Sequence, residues 1–231
     1  MIEEPPLLTI SDQRLRPTES QIAAFQNAPT GFVCDALGGG GALDPRIRPL
    51  GEGRDVRCIA AGPALTAENG PADILATLAA VDLAQPGDIL VLGFSGHTGC
   101  AALGDRVCGV AKNRGVAGVV TDGPMRDYAG LVEIGLPAWC DGLNPASPFA
   151  KGPGRVGFPS AIGGMTVSTG DMIVADRDGV VVAPFARIDE VIEKLGRVRA
   201  LEAELDAEVR AGKREFGVLG EMLADGRAVK A

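Results

Sequence analysis

The chain has 231 residues, a net charge of −8, 46% hydrophobic residues and 33 glycines, a size and composition that suit one tightly packed α/β domain with terminal extensions. The acidic balance, with no basic stripe, argues against nucleic-acid binding. No apolar run reaches membrane-spanning length, and the opening MIEEPPLLTI lacks a basic flank and signal-peptide core, so no membrane association and a cytoplasmic protein are expected.

Residues 1–17 combine Pro5, Pro6 and Pro17 with mixed charge and read as an extended N-terminal arm. Thr18-Glu19-Ser20 starts a helix that runs to about Asn27, and a second helix begins near Gly31 and reaches Leu37. Gly38 to Gly41 is not a G-x-G-x-x-G fingerprint and follows no strand, so it reads as a flexible loop rather than a dinucleotide site. Arg54 to Thr66 predicts the first strand, broken at Gly62-Pro63. A turn at Glu68-Asn69-Gly70-Pro71 and a helix over 72–84 follow. Ile89-Leu90-Val91-Leu92 is a continuous apolar run of buried-strand type.

The loop after that run, Gly93 to Ala102, contains Ser95 and the single histidine, His97. Ser95 lacks the G-x-S-x-G elbow of a hydrolase, which leaves His97 as a candidate hydrogen-bond donor to substrate. One histidine excludes a multi-histidine metal site within one chain. The five cysteines, at 34, 58, 100, 108 and 140, are odd in number and form no C-x-x-C, so disulfides and a zinc site are not expected. Cys108 reads as a small packing residue.

Residues 104–127, GDRVCGVAKNRGVAGVVTDGPMRD, parse as turn, helix, turn, strand, turn, and the rest of the chain is organised around them. Val107, Val110 and Ala111 keep helical spacing, Gly115 suits a helix C-terminus, and Val116 to Thr121 is a β-branched strand. Asp122-Gly123-Pro124 then turns the chain, and Arg126-Asp127 follow it. The first helical turn, Gly104 to Val107, offers amides without intrahelical partners that attract a carboxylate or phosphate. Arg126 can grip an anion in bidentate fashion, and Asp127 can hold a hard divalent cation. In an open α/β sheet, ligands gather beyond the carboxyl ends of strands, where these two residues fall.

Beyond this stretch, Tyr128 to Ile134 predicts a short helix and Leu136 to Cys140 a strand, with a Pro/Gly/Asn/Ser-rich loop over 141–154. Short strands are predicted at 155–158, 165–167, 172–175 and 180–183. From Ile188 to about Gly212 the apolar residues keep helical spacing within a charged sequence, so one amphipathic helix is expected there. Three regions result: an arm over 1–17, an α/β domain over 18–187, and a helical extension over 188–231. The fold expected is a single-domain α/β/α sandwich with a mixed central β-sheet.

The pattern G-D-x(n)-A-K-x-R-G-x-x-G-V-V-x-D-G-x-x-R-D, followed by Gly135-Leu136-Pro137, resembles the RraA-like family, which has a swivelling-domain type of fold. The similarity continues through Gly152-Pro153-Gly154, Gly163-Gly164, Ser168 to Asp171 and Ala175 to Val180, covering roughly residues 30 to 215. The family includes class II, metal-dependent 4-hydroxy-4-methyl-2-oxoglutarate / 4-carboxy-4-hydroxy-2-oxoadipate aldolases. The resemblance implies a lyase that releases pyruvate from 4-hydroxy-2-oxo acids, with oxaloacetate decarboxylation as a further activity and aromatic-compound catabolism as the setting. It implies that the pyruvyl carboxylate docks on amides of Gly104, Asp105, Arg106 and Val107, and that Arg126 binds the 2-oxo oxygen. It also implies that Asp127 holds Mg²⁺ or Mn²⁺, and that Asp105 moves the proton through a water of the ion's shell. Family members assemble as trimers or hexamers with sites at subunit boundaries, where a glutamate from a neighbouring subunit approaches. Spacing assigns Glu202 to that role, with Glu204 as the alternative. Glu68-Asn69-Gly70 departs from the Gly-Asp-Asn common in these aldolases. Other members regulate a ribonuclease without catalysis and typically depart from the Arg-Asp pair that this chain keeps.

Overall fold

A computed structural model describes residues 6–230. The chain divides into two compact units, the first ending at Leu195 and the second beginning at Gly196. The first unit opens with β1 (Leu8–Ile10), α1 (Glu19–Phe25), α2 (Thr30–Ala36) and β2 (Arg48–Pro49). Then come β3 (Ala60–Asn69), α3 (Leu75–Leu83), β4 (Ile89–Gly93), α4 (Asp105–Asn113), β5 (Gly118–Thr121), α5 (Tyr128–Ile134) and β6 (Ala138–Cys140). Five short strands follow: β7 (Gly154–Val156), β8 (Ser160–Ile162), β9 (Met165–Val167), β10 (Met172–Ala175) and β11 (Val180–Ala183). The long α6 (Ile188–Arg210) runs across the division between the units, and α7 (Val218–Ala224) lies in the second.

The mixed α/β class expected from the sequence is what forms. The large sheet runs β1-β7-β3-β4-β5-β6-β2, with β10 and β11 added beside β3. Strands β3 to β6 are parallel and adjacent in chain order, whereas β7 and β10 pair with β3 antiparallel. Each step from β3 to β6 advances the same way along the sheet. Right-handed crossovers therefore place α3, α4 and α5 on one face. On the opposite face the β8–β9 hairpin packs against β3 and β4. Strand β4 is buried throughout, as its unbroken apolar run requires.

Three local outcomes depart from the sequence reading. Strand β3 is continuous through Gly62-Pro63 and extends to Asn69, so the first half of the expected 68–71 turn is strand. Proline is tolerated there because β3 changes partner: residues 60–63 pair with β10, and 67–69 with β7. The Thr169 hydroxyl fills the gap, accepting from the Thr66 amide at 3.2 Å. Within the N-terminal arm, β1 pairs in parallel with β7, and Arg14 and Arg16 both bind the fully buried Asp88 carboxylate. Residues 1–5 of that arm lie outside the described residues. Strands β2 and β8 and helix α7 had no periodic signal, being two, three and seven residues long.

Caps behaved as chemistry dictates. Thr18 and Gln21 form a reciprocal capping box at α1. Gly115, at φ +80°, follows the C-terminus of α4 in the left-handed conformation that ends helices. Among the described residues, no helix is long and apolar enough to cross a membrane.

Candidate active site at the carboxyl edge of the sheet

The turn after β5 is woven between its two neighbours by backbone bonds. Ala102 N donates to Pro124 O at 2.7 Å, and Arg126 N to Leu103 O at 3.2 Å. On the other side Met125 N donates to Gly142 O, and Asn144 N to Met125 O, each at 2.9 Å. Asp122 locks the loop after β4, accepting from Phe94 N at 2.5 Å and Gly96 N at 2.9 Å. With Met125 fully buried beneath, the backbone that carries Arg126 and Asp127 is fixed on both edges.

A cleft of about 280 Å³ opens beside it, lined by Gly104, Asp105, Arg106, Val107, Arg126 and Asp127. The start of α4 forms one wall. Gly104 is its N-cap and provides no side-chain cap. Asp105 Oδ1 accepts the Arg106 amide at 2.6 Å, so one first-turn donor is already occupied. The Asp105 and Val107 amides have no acceptor among the described residues, the kind of unsatisfied donor that a helix start can present to an anion. A Cβ on Gly130 of α5 would meet Asp105 Oδ2 at 2.6 Å, so that glycine makes room for the Asp105 carboxylate.

Arg126 and Asp127 form the other wall. The Arg126 Nε lies 3.3 Å from Asp127 Oδ2, and its Nη1 donates to Ser147 Oγ at 2.5 Å. Their side chains are 33% and 44% exposed, open enough to meet a ligand. Asp127 sits at φ +62°, ψ +45°, the left-handed region that aspartate tolerates better than most residues. An aspartate preceding a helix normally caps it. Asp127 makes no such bond to α5; its carboxylate lies instead against Gly104, where a Cβ would stand 2.5 Å from Oδ2 and 3.0 Å from Arg126 Cγ. Glycine is needed at 104 for this approach.

Carboxylate oxygen is the ligand type that hard divalent cations take. Asp127 offers an oxygen ligand to the cleft, and no group of three or more His, Cys, Asp or Glu able to hold a metal occurs among the described residues.

The six cleft residues singled out from the sequence are thus brought together. His97 and the Gly38–Gly41 loop are elsewhere. His97 packs edge-on against Phe94, with ring centroids 5.7 Å apart, and does not line the cleft. Gly38 and Gly39 close the end of α2, and Gly41 O accepts from Val182 N, so this loop serves the β11 edge. Glu202 is half-buried and Glu204 exposed on the part of α6 that belongs to the second unit. Burial pushes the Cys108 and Cys140 thiols up to about 12, which leaves them unreactive packing residues. Sequence reasoning missed Asp122 as the clamp of the β4 loop, Gly130 as the space beside Asp105, and Ser147 as the partner of Arg126. Asp122 and Gly130 sat inside or beside the motif, but Ser147 lies in a polar loop with no periodicity to mark it.

Comparisons with known proteins agree with this fold. A family model described as RraA-like, Aldolase/RraA, matches residues 30–182. A protein of Halalkalibacterium halodurans named "Putative 4-hydroxy-4-methyl-2-oxoglutarate aldolase" is 37% identical over 179 residues, covering 78% of this chain and 83% of the relative. A crystal structure of an uncharacterized protein from Pseudomonas syringae superposes with a TM-score of 0.75 at 27% identity, covering 88% of this chain and 94% of the other. Streptomyces coelicolor RraAS2, described as an unusual member of the RNase ES inhibitor RraA protein family, matches with a TM-score of 0.67 at 30% identity over 86% of this chain and 98% of its own. The chain belongs to the RraA-like family.

Proposed function

We propose that the protein is a divalent-metal-dependent aldolase that cleaves 4-hydroxy-2-oxo acids to pyruvate and a second oxo acid. One observation carries this reading: the Arg126 and Asp127 side chains converge on Gly104, against the unsatisfied amides at the start of α4. The pyruvyl carboxylate binds the Asp105 and Val107 amides, while Arg106, whose amide Asp105 occupies, adds its side chain to the cleft wall. Arg126 donates to the 2-oxo oxygen and carries part of the charge that develops there. Asp127 holds Mg²⁺ or Mn²⁺, which supplies Lewis-acid polarisation of the 2-oxo group. Asp105, by way of a water, takes the proton of the C4 hydroxyl. The C3–C4 bond then breaks, its electron pair passes into the C2–C3 enolate, and C4 leaves as the carbonyl of the second product. Return of the proton to C3 gives pyruvate. Oxaloacetate decarboxylation would use the same enolate. Glu202, with Glu204 as the alternative, is proposed to approach this cleft from a neighbouring subunit of a trimer or hexamer.

The test is pyruvate release from a panel of 4-hydroxy-2-oxo acids and oxaloacetate, with Mg²⁺, with Mn²⁺ and with excess EDTA. Turnover should require the cation; undiminished turnover in EDTA would refute the assignment. The similarity to RraAS2 supports a second reading, a non-catalytic regulator that binds a ribonuclease. Ribonuclease binding without pyruvate release from any substrate of the panel would favour it.

A further inference from the structure

We infer that Arg106 selects substrates that carry a second carboxylate, distal to the 2-oxo acid group. The inference rests on the proposed aldolase reading for the location of the 2-oxo acid. Two arginines are among the residues that line the cleft, Arg106 and Arg126. Arg126 already has protein partners: it pairs with Asp127 at 3.3 Å and donates to Ser147 at 2.5 Å. The side chain of Arg106 is exposed and makes no hydrogen bond or ion pair among the described residues. An arginine that merely solubilises a helix start is an odd choice there, because a cation opposes the positive end of the helix dipole. At that position it adds to the pull on anions instead.

The cleft charges sharpen the point. Asp105 and Asp127 balance Arg106 and Arg126 in number, but both carboxylates have partners inside the protein, Asp105 at the Arg106 amide and Asp127 at Arg126. The Arg106 guanidinium is left as the cation whose donors are all available. At about 280 Å³ the cleft is at the small end of ligand sites, roughly 300–1,000 Å³ in general, so both ends of a short diacid stay within reach of its walls. A carboxylate at the 2-oxo end uses the helix amides, with Arg126 on the 2-oxo oxygen beside it. One at the far end meets Arg106, whose planar fork matches it bidentately.

Two measurements test this with the full-length protein. The first compares kcat/KM for 4-hydroxy-2-oxoglutarate, with two carboxylates, against 4-hydroxy-2-oxopentanoate, with one. The native protein should favour the diacid by about tenfold or more, the effect of one charge-assisted pair. In Arg106→Gln that ratio should collapse towards one, through KM rather than kcat, and Arg106→Lys should restore part of it. The second measures direct binding of the unreactive acids 2-oxoglutarate and 2-oxobutyrate by calorimetry, in the native protein and in Arg106→Gln. Preference for 2-oxoglutarate that is lost in Arg106→Gln, without any turnover, would uphold the role of Arg106 while ending the aldolase reading. An unchanged acid preference in Arg106→Gln, or no diacid preference in the native protein, would overturn the inference.

Discussion

Two corners of one sheet, after β3 and after β5, use the same kinds of residue for opposite ends. After β3, Asn69 is buried and its amide is consumed inside the protein. Nδ2 donates to Thr77 Oγ1 at 2.9 Å and Gly93 O at 3.2 Å, while Oδ1 accepts from Thr77 N at 3.1 Å. Glu68 beside it pairs with Arg155 at 3.3 Å. After β5, Asp127 leaves its own helix uncapped, and Arg126 holds one hydroxyl and one carboxylate, with both side chains facing a cleft. Polar groups whose bonds are all satisfied internally have nothing left to offer a ligand. The first corner holds the chain in place, and the second is free to act on something else.

The largest effect should come from the second corner. Arg126→Ala, and separately Asp127→Asn, should lower pyruvate release by about 10²–10³-fold or more, the scale for losing one preorganised charge-stabilising group. Asparagine tolerates the left-handed backbone at 127, so thermal unfolding midpoints should stay near the parent value. Full activity in Asp127→Asn would remove the basis of the proposed function. The first corner should respond in reverse. Asn69→Ala strands Thr77 and Gly93 O, and should cost about 2–4 kcal/mol in denaturant unfolding, while turnover per folded molecule is retained. Lost turnover with unchanged stability in that variant would erase the distinction between the corners.

A smaller effect tests how closely the walls of the cleft must meet. Gly104 has φ −137°, a conformation open to any residue, so alanine there brings no backbone strain. Its Cβ would instead press on Asp127 Oδ2 and Arg126 Cγ. Gly104→Ala should lower kcat/KM by about tenfold, in line with the sensitivity of catalysis to misplacements of an ångström or less. Its stability should be equal or slightly higher, since alanine restricts the unfolded chain. Unchanged kcat/KM would mean that contact between the two walls has no part in turnover.

The site was legible in the sequence to the extent that it is local. Gly104 to Asp127 is one contiguous αβ unit, so its helix, strand and turn were readable from spacing, and Arg126-Asp127 fell at a strand end by counting. Helix α5 and strands β9, β10 and β11 emerged with the expected bounds for the same reason. What stayed hidden was set by distant partners. Pro63 reads as a strand breaker until β3 is seen to change neighbours there. Ser147 means nothing until the 141–149 loop folds back over Arg126. The left-handed Asp127, which turns its carboxylate from the helix to the cleft, has no signature in an Arg-Asp dipeptide.

The smallest effect returns to the β3 corner and carries a pH signature. Asp73 is buried there, and its two oxygens accept from Leu75 N at 2.9 Å and Lys151 N at 2.6 Å, tying the start of α3 to the loop before β7. Burial alone would raise its pKa, but the amides of Lys151, Leu75 and Gly152 outweigh burial and hold the carboxyl below its ordinary value of 3.8. A carboxylate whose folded pKa is depressed stabilises the fold above the unfolded pKa, and loses that contribution as pH falls through the folded value. Asparagine presents one acceptor where the carboxylate has two, so Asp73→Asn leaves one amide unpaired. The variant should be less stable at pH 7 by on the order of 1 kcal/mol. As the pH falls below about 4, the native carboxyl takes up a proton and comes to resemble the asparagine, so the gap in urea midpoints should close. A gap of constant size from pH 7 to pH 3 would show that Asp73 acts through shape alone, and that charge contributes nothing to holding the β3 corner.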